Sequence, residues 1–195
     1  MDTAKRLVKE AKEGGADAVK FQTYKADTIA SKDSPAYWDT SKEPTLSQHE
    51  LFKRHDKFWK DEMQELKDYS DEIGVEFMST PFDIESAMFL NEMMDVFKIS
   101  SSHITNKPFI KFLCDFEKPI ILSTGMATFD EISQIHKKLQ DNRIEHAFLH
   151  CVSKYPAKPK EMNLGNIEYL KSNHNELVEN IKDIEGLAKS YVHAQ

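Results

Sequence analysis

Cysteine is scarce in this sequence: Cys114 and Cys151 are the only two among 195 residues. Two lone thiols exclude the dense disulfide framework of a small secreted domain, and no CxxC spacing marks a zinc site. Both lie in apolar runs, where free cysteines are ordinarily buried. No run of about 18 apolar residues is present, which excludes a membrane-spanning helix. The opening residues, Met1-Asp2-Thr3-Ala4-Lys5, carry no apolar signal-peptide core, so the cytoplasm is the expected setting. A basic excess is absent as well. Lys and Arg total 26 against 33 Asp and Glu, a formal net charge of -7, which argues against a nucleic-acid partner.

What is there reads as a globular domain with a sizeable core, 39% apolar and 30% charged. Ala4, Leu7, Val8 and Ala11 follow helical spacing up to Gly14-Gly15, and Ala18–Thr23 reads as a strand. Residues 24–56 are polar, with Ser34-Pro35 and Glu43-Pro44 as turn signals, and are expected to be irregular. Met63, Leu66, Tyr69 and Ile73 mark a second helix ended by Gly74, and a second strand runs from Val75 to Thr80. Asp83 can cap a helix carrying Ala87, Leu90 and Met94, before a third strand over Val96–Ser101. Asn106 can cap a helix containing Phe109, Phe112 and Leu113, with Pro108 tolerated in its first turn. Pro119–Ser123 is the fourth strand. Thr128 and Glu131 form a capping box before Ile132, Ile135 and Leu139, and Ala147–Cys151 is the fifth strand. A last helix is expected over Glu176–Ser190. Strands alternating with helices imply an α/β fold with a parallel sheet and helices outside it. The cadence fits an incomplete TIM-type (β/α) barrel of about five parallel strands. An open flavodoxin-like sheet would show the same periodicity.

Either architecture binds ligands at the carboxyl ends of its strands. Those ends read Lys20-Phe21-Gln22, Ser79-Thr80-Pro81, Lys98-Ile99-Ser100-Ser101, Ser123-Thr124-Gly125 and His150-Cys151-Val152-Ser153. A single strand lysine is commonly just a solvated end, and hydroxyls after strands, such as Thr124 and Thr128, commonly cap helices. Two lysines with several hydroxyls at successive ends point instead to a small phosphorylated or carboxylated anion. Gly125 would let backbone N–H groups approach such an anion closely.

Read as strings, the same segments resemble the N-acetylneuraminate (sialic acid) synthase family. Residues 14–23, GGADAVKFQT, match its GADAVKFQT block; residues 76–83, EFMSTPFD, are similar to EFLSTPFD; residues 97–106, FKISSSHITN, to FKIASGEITN. Residues 119–128, PIILSTGMAT, and 149–156, LHCVSKYP, complete five ordered blocks covering residues 1 to about 172. The resemblance implies a barrel enzyme that condenses phosphoenolpyruvate with an N-acyl amino sugar: N-acetylmannosamine, its 6-phosphate or a related sugar. It implies that Lys20 and Lys98 neutralise phosphate and carboxylate. Gln22, Thr80, Ser101, Ser123, Ser153 and Tyr155 would then line the substrate site, with Ser101, Ser123 and Ser153 donating hydrogen bonds. His103 falls on the catalytic position where the family has Glu or Asp. The family also uses Mn²⁺ or Mg²⁺ as a Lewis acid. Its ligand histidines stand in SDHT-like and EKHFT-like blocks absent from this sequence, and no HxH or HExxH spacing replaces them.

Asn173-His174-Asn175-Glu176-Leu177-Val178-Glu179-Asn180-Ile181 is similar to the family's closing barrel helix. The expectation is therefore a partial barrel domain over 1–172 and a closing helix over 173–195, without the family's first strand and last two strands. Three functions are compatible with these residues: a synthase, a catalytically inactive remnant that at most binds a small phosphorylated anion, and an aldolase using Lys20 or Lys98 as Schiff-base nucleophile. An open barrel would expose strand edges and favour a homo-oligomer.

Overall fold

The computed structural model describes residues 1–153 and 157–173, and helices alternate with strands through them as expected. In chain order the elements are α1 (Asp2–Glu13), β1 (Ala18–Thr23), α2 (Ala26–Ile29), α3 (Gln48–His55), α4 (Lys60–Ile73), β2 (Glu76–Pro81) and α5 (Ile84–Leu90). There follow β3 (Phe97–Ile99), a 3₁₀ turn (Ser101–His103), α6 (Lys107–Cys114), β4 (Ile120–Ser123), α7 (Phe129–Asp141) and β5 (His146–Leu149). A second 3₁₀ turn (Pro159–Glu161) leads into α8 (Gly165–Asn173), a helix that apolar spacing did not signal. None of these helices is long and apolar enough to cross a membrane. The last expected helix, Glu176–Ser190, lies outside the described residues.

The chain divides into two compact units, Met1–Gly14 with Val19–Met94, and Gly15–Ala18 with Asp95 onward. In the first, α4 buries Met63, Leu66 and Ser70, the i, i+3, i+7 stripe that turns a helix toward a core. Gly74 ends it at φ 73°, a left-handed conformation suited to glycine. Val8 of α1 and Phe77 of β2 are buried in the same unit, at 1% and 0% exposure. Residues 24–56 are more ordered than their composition suggested. They hold α2 and α3, and His49 Nε2 meets Asp27 Oδ1 at 2.7 Å, tying the two helices together. Trp38 Nε1 donates to the carbonyls of Glu43 and Thr45 at 3.0 and 3.2 Å. Isolated side chains that find distant partners give no periodic signal, so order here was invisible to spacing.

The second unit is built on β3, β4 and β5, which pair in parallel in that order. Phe97, Lys98 and Ile99 of β3 and Ile120, Ile121 and Leu122 of β4 are all buried, the pattern of a parallel sheet covered on both faces. Helix α6 contributes Phe109, Ile110 and Leu113, and α7 contributes Ile132, Ile135 and Leu139. Asn106 and the Thr128–Glu131 capping box start these helices as expected.

One continuous array of five strands does not form. β1 and β2 make a two-stranded sheet separate from the three-stranded one, and no closed barrel is present among the described residues. Two strands also end earlier than expected. β3 stops at Ile99 because the Ser100 side chain accepts from the Ser102 N–H and opens the 3₁₀ turn. β5 stops at Leu149, whose carbonyl is taken by both the N–H and the hydroxyl of Thr124, at 3.0 and 2.9 Å.

Candidate functional site

The second unit concentrates the chemistry. Lys98 opposes Ile121 in the β3–β4 register, and strand alternation puts Ser123, two residues further on, on the same face as Ile121. The lysine side chain therefore runs toward the carboxyl end of β4. It is only 5% exposed, and its Nζ donates to Ser123 Oγ and to the Ile99 carbonyl, each at 2.7 Å. A cation this buried is held by oxygens because an unpaired one would be costly.

After Ser123 the chain turns through Thr124 and Gly125, both buried. A Cβ on Gly125 would lie 2.5 Å from Ser153 Oγ, 3.3 Å from Ser101 Oγ and 3.5 Å from Cys151 Cβ. Two hydroxyls expected to meet an anion thus converge on one point beside the turn that follows Ser123. Gly125 makes room for these side chains. The residue after it, Met126, has φ 64°, a conformation non-glycine residues rarely adopt. Thr124 ties the end of β4 to the end of β5 and caps no helix, whereas Thr128 does cap α7.

His103 sits at the end of the 3₁₀ turn that begins with Ser101. Its ring lies against Phe109, centroids 4.7 Å apart, and its Nδ1 is 3.4 Å from Asn106 Nδ2. Tyr155 lies outside the described residues. Cys151 borders Gly125 while Cys114 is buried in α6, and burial raises the Cys114 thiol pKa.

The first unit carries the remaining candidates. Phe21 stacks on Phe77 with centroids 5.7 Å apart, and Thr23 Oγ1 lies 2.7 Å from Ser79 Oγ. Those pairs fix one face of the β1–β2 sheet, so alternation places Lys20, Gln22 and Thr80 together on the other. Thr80 is buried and Gln22 exposed. Lys20 is half-buried, and desolvation lowers its pKa from the usual lysine value. Among the described residues it has no hydrogen-bond or ion-pair partner, so a negative ligand would restore what burial removes.

Among the described residues no group of three or more His, Cys, Asp or Glu side chains comes together in a way that could hold a metal ion. The metal implied by the resemblance therefore enters none of the chemistry assigned below.

Parallel strands alternating with helices define an α/β protein. The particular family follows from comparison with known proteins: residues 7–179 match the model of the NeuB family, and the chain belongs to that family. It is 40% identical over 174 residues to an uncharacterised protein of Methanocaldococcus jannaschii, covering 88% of this chain and 48% of that protein. It is 38% identical over 184 residues to the N,N'-diacetyllegionaminic acid synthase of Campylobacter jejuni, covering 88% and 53%. Among solved structures it resembles the N-acetylneuraminic acid (sialic acid) synthetase of Leptospira borgpetersenii, determined with citrate. There the TM-score is 0.77 and the identity 30%, covering 87% of this chain and 55% of that one. The chain spans about half the length of the curated relatives it matches.

Proposed function

We propose that this chain carries the phosphoenolpyruvate site of a nonulosonic acid synthase, which condenses that anion with N-acetylmannosamine, its 6-phosphate or a related N-acyl amino sugar. The observation that carries this reading is the burial of Lys98 against Ser123, with Ser101 and Ser153 converging on Gly125. Phosphoenolpyruvate presents a phosphate and a carboxylate, and a buried ammonium flanked by hydroxyl donors suits either. In the proposed reaction carbon 3 of phosphoenolpyruvate bonds to the aldehyde carbon of the sugar, whose oxygen takes up a proton. Water adds at carbon 2, and the bond between carbon 2 and the bridging oxygen breaks, releasing inorganic phosphate and leaving the added oxygen as the ketone. The contribution assigned to Lys98 and the serines is to hold and orient phosphoenolpyruvate and to neutralise its charge. Lys20 is proposed to meet an anion too, and Gln22, Thr80 and Tyr155 to contact substrate. A cytoplasmic setting and a homo-oligomer belong to the same proposal.

A second reading, binding without turnover, is favoured by one observation. Position 103 holds an imidazole against Asn106 where the resembling family holds a carboxylate. Calorimetric titration of the 195-residue chain with phosphoenolpyruvate, beside Lys98→Met, tests the shared core of both readings. Binding that is lost in the variant supports them. Equal binding by parent and variant removes both.

A further inference from the structure

Asn106 works in two directions at the start of α6. Lys107 is the first helical residue, and Pro108, the second, has no N–H to offer. The first N–H open to a side-chain cap is therefore that of Phe109, and Asn106 Oδ1 accepts it at 3.3 Å. With its oxygen committed, the amide turns its NH₂ the other way, and Nδ2 lies 3.4 Å from His103 Nδ1. An amide nitrogen only donates, so Nδ1 is the accepting nitrogen of the imidazole. A neutral imidazole has one accepting and one protonated nitrogen, which places the proton on Nε2. The arrangement is braced twice: the Asn106 N–H donates to the His103 carbonyl at 2.9 Å, and the His103 ring lies against Phe109.

We infer that Asn106 is a positioning residue that holds His103 as the Nε2–H tautomer, so that position 103 presents a hydrogen-bond donor and not a general base. The tautomer follows from the contacts above, and only its functional consequence rests on the proposed function, with His103 at the catalytic position that the family resemblance implies. In that case the group facing position 103 must be an acceptor, a carbonyl, hydroxyl or phosphate oxygen. A proton to be abstracted would find no base there.

Asn106→Asp separates the two roles of the side chain. Aspartate caps helices as well as asparagine does, so α6 keeps its start. Its second oxygen can only accept, which forces the His103 proton onto Nδ1 and leaves Nε2 with a lone pair, the arrangement of a carboxylate-oriented general base. Nitrogen-15 correlation spectra of the histidine rings, with His103 assigned by loss of its signals in His103→Gln, read the tautomer directly. The parent chain should show protonated Nε2 with bare Nδ1, and Asn106→Asp should show protonated Nδ1. A circular dichroism spectrum unchanged by the substitution confirms the cap. Protonated Nδ1 in the parent, or a His103 pattern identical in both proteins, would overturn the inference. Phosphoenolpyruvate titration of the same samples reports on Lys98 and not on the tautomer, so either idea can fail alone.

Discussion

Lys98 Nζ lies 2.7 Å from Ser123 Oγ, although the two residues come from different strands. The parallel β3–β4 register that sets Lys98 beside Ile121 produces this contact, so it is fixed by the sheet and not by a loop. Replacing Lys98 with Met should preserve packing and remove the charge. Hydrogen bonds to charged groups contribute about 1.5–3 kcal/mol, so phosphoenolpyruvate affinity should fall roughly tenfold to 150-fold. Ser123→Ala, which leaves the cation in place, should cost less than that. Titration calorimetry on both variants checks the order, and a larger loss from Ser123→Ala would contradict it.

Lys20 gives a pH dependence with a definite sign. Burial lowers its pKa in the folded chain relative to the unfolded one. Below the folded value both states carry the proton, and the cost of burying charge is present in full. As pH rises through that value toward the ordinary lysine range, the folded chain loses its proton first and the cost disappears. This group therefore adds stability with rising pH, while anion binding at Lys20 weakens over the same window. Lys20→Met should raise the melting temperature at neutral pH and flatten this part of the pH profile. A melting temperature lowered by the substitution, with the profile unchanged, would show that the ammonium is not strained by burial.

The meeting of Lys98 with Ser123 was legible in part, because both stand on neighbouring strands of one parallel sheet. Asn106, Asp83 and Thr128 were legible as caps because capping is local. The division of five strands into two sheets was not legible, since strand pairing depends on register between distant segments and leaves no periodic trace. For the same reason α2 and α3, tied by Asp27 and His49 across a polar stretch, could not be read from spacing. The crowding of Ser101, Ser153 and Cys151 around Gly125 arises where three strand ends meet, and the glycine alone signalled only close approach.

That crowding makes Gly125 a test of the hydroxyl cradle. A methyl group there would meet Ser153 Oγ at 2.5 Å, and this exposed hydroxyl can swing away cheaply. Gly125→Ala should therefore cost little stability, about 1 kcal/mol or less, while weakening phosphoenolpyruvate binding roughly tenfold. In Ser153→Ala the hydroxyl is already gone, so adding Gly125→Ala should cost little further affinity. Contacting residues give such non-additive cycles. Strict additivity of the two affinity losses would mean that Gly125 acts on the ligand and not through Ser153.

The last prediction joins the anion site to the tautomer of His103. General acid–base catalysis by a positioned side chain contributes typically 10²–10⁴-fold, and a histidine held by Asn106 as a donor supplies no base. The chain should therefore bind phosphoenolpyruvate yet release phosphate slowly. In the presence of N-acetylmannosamine and Mn²⁺, its rate should be at least about 100-fold below that of the Leptospira borgpetersenii N-acetylneuraminic acid synthetase. Asn106→Asp frees the Nε2 lone pair and should raise the rate above the parent without altering phosphoenolpyruvate affinity. The check is a phosphate-release assay on all three proteins, with binding measured separately by calorimetry. A parent rate within about tenfold of the synthetase would show that a donor at position 103 suffices, overturning the reading of binding without turnover. An unchanged rate in Asn106→Asp, with its tautomer switched, would place the limiting step away from His103.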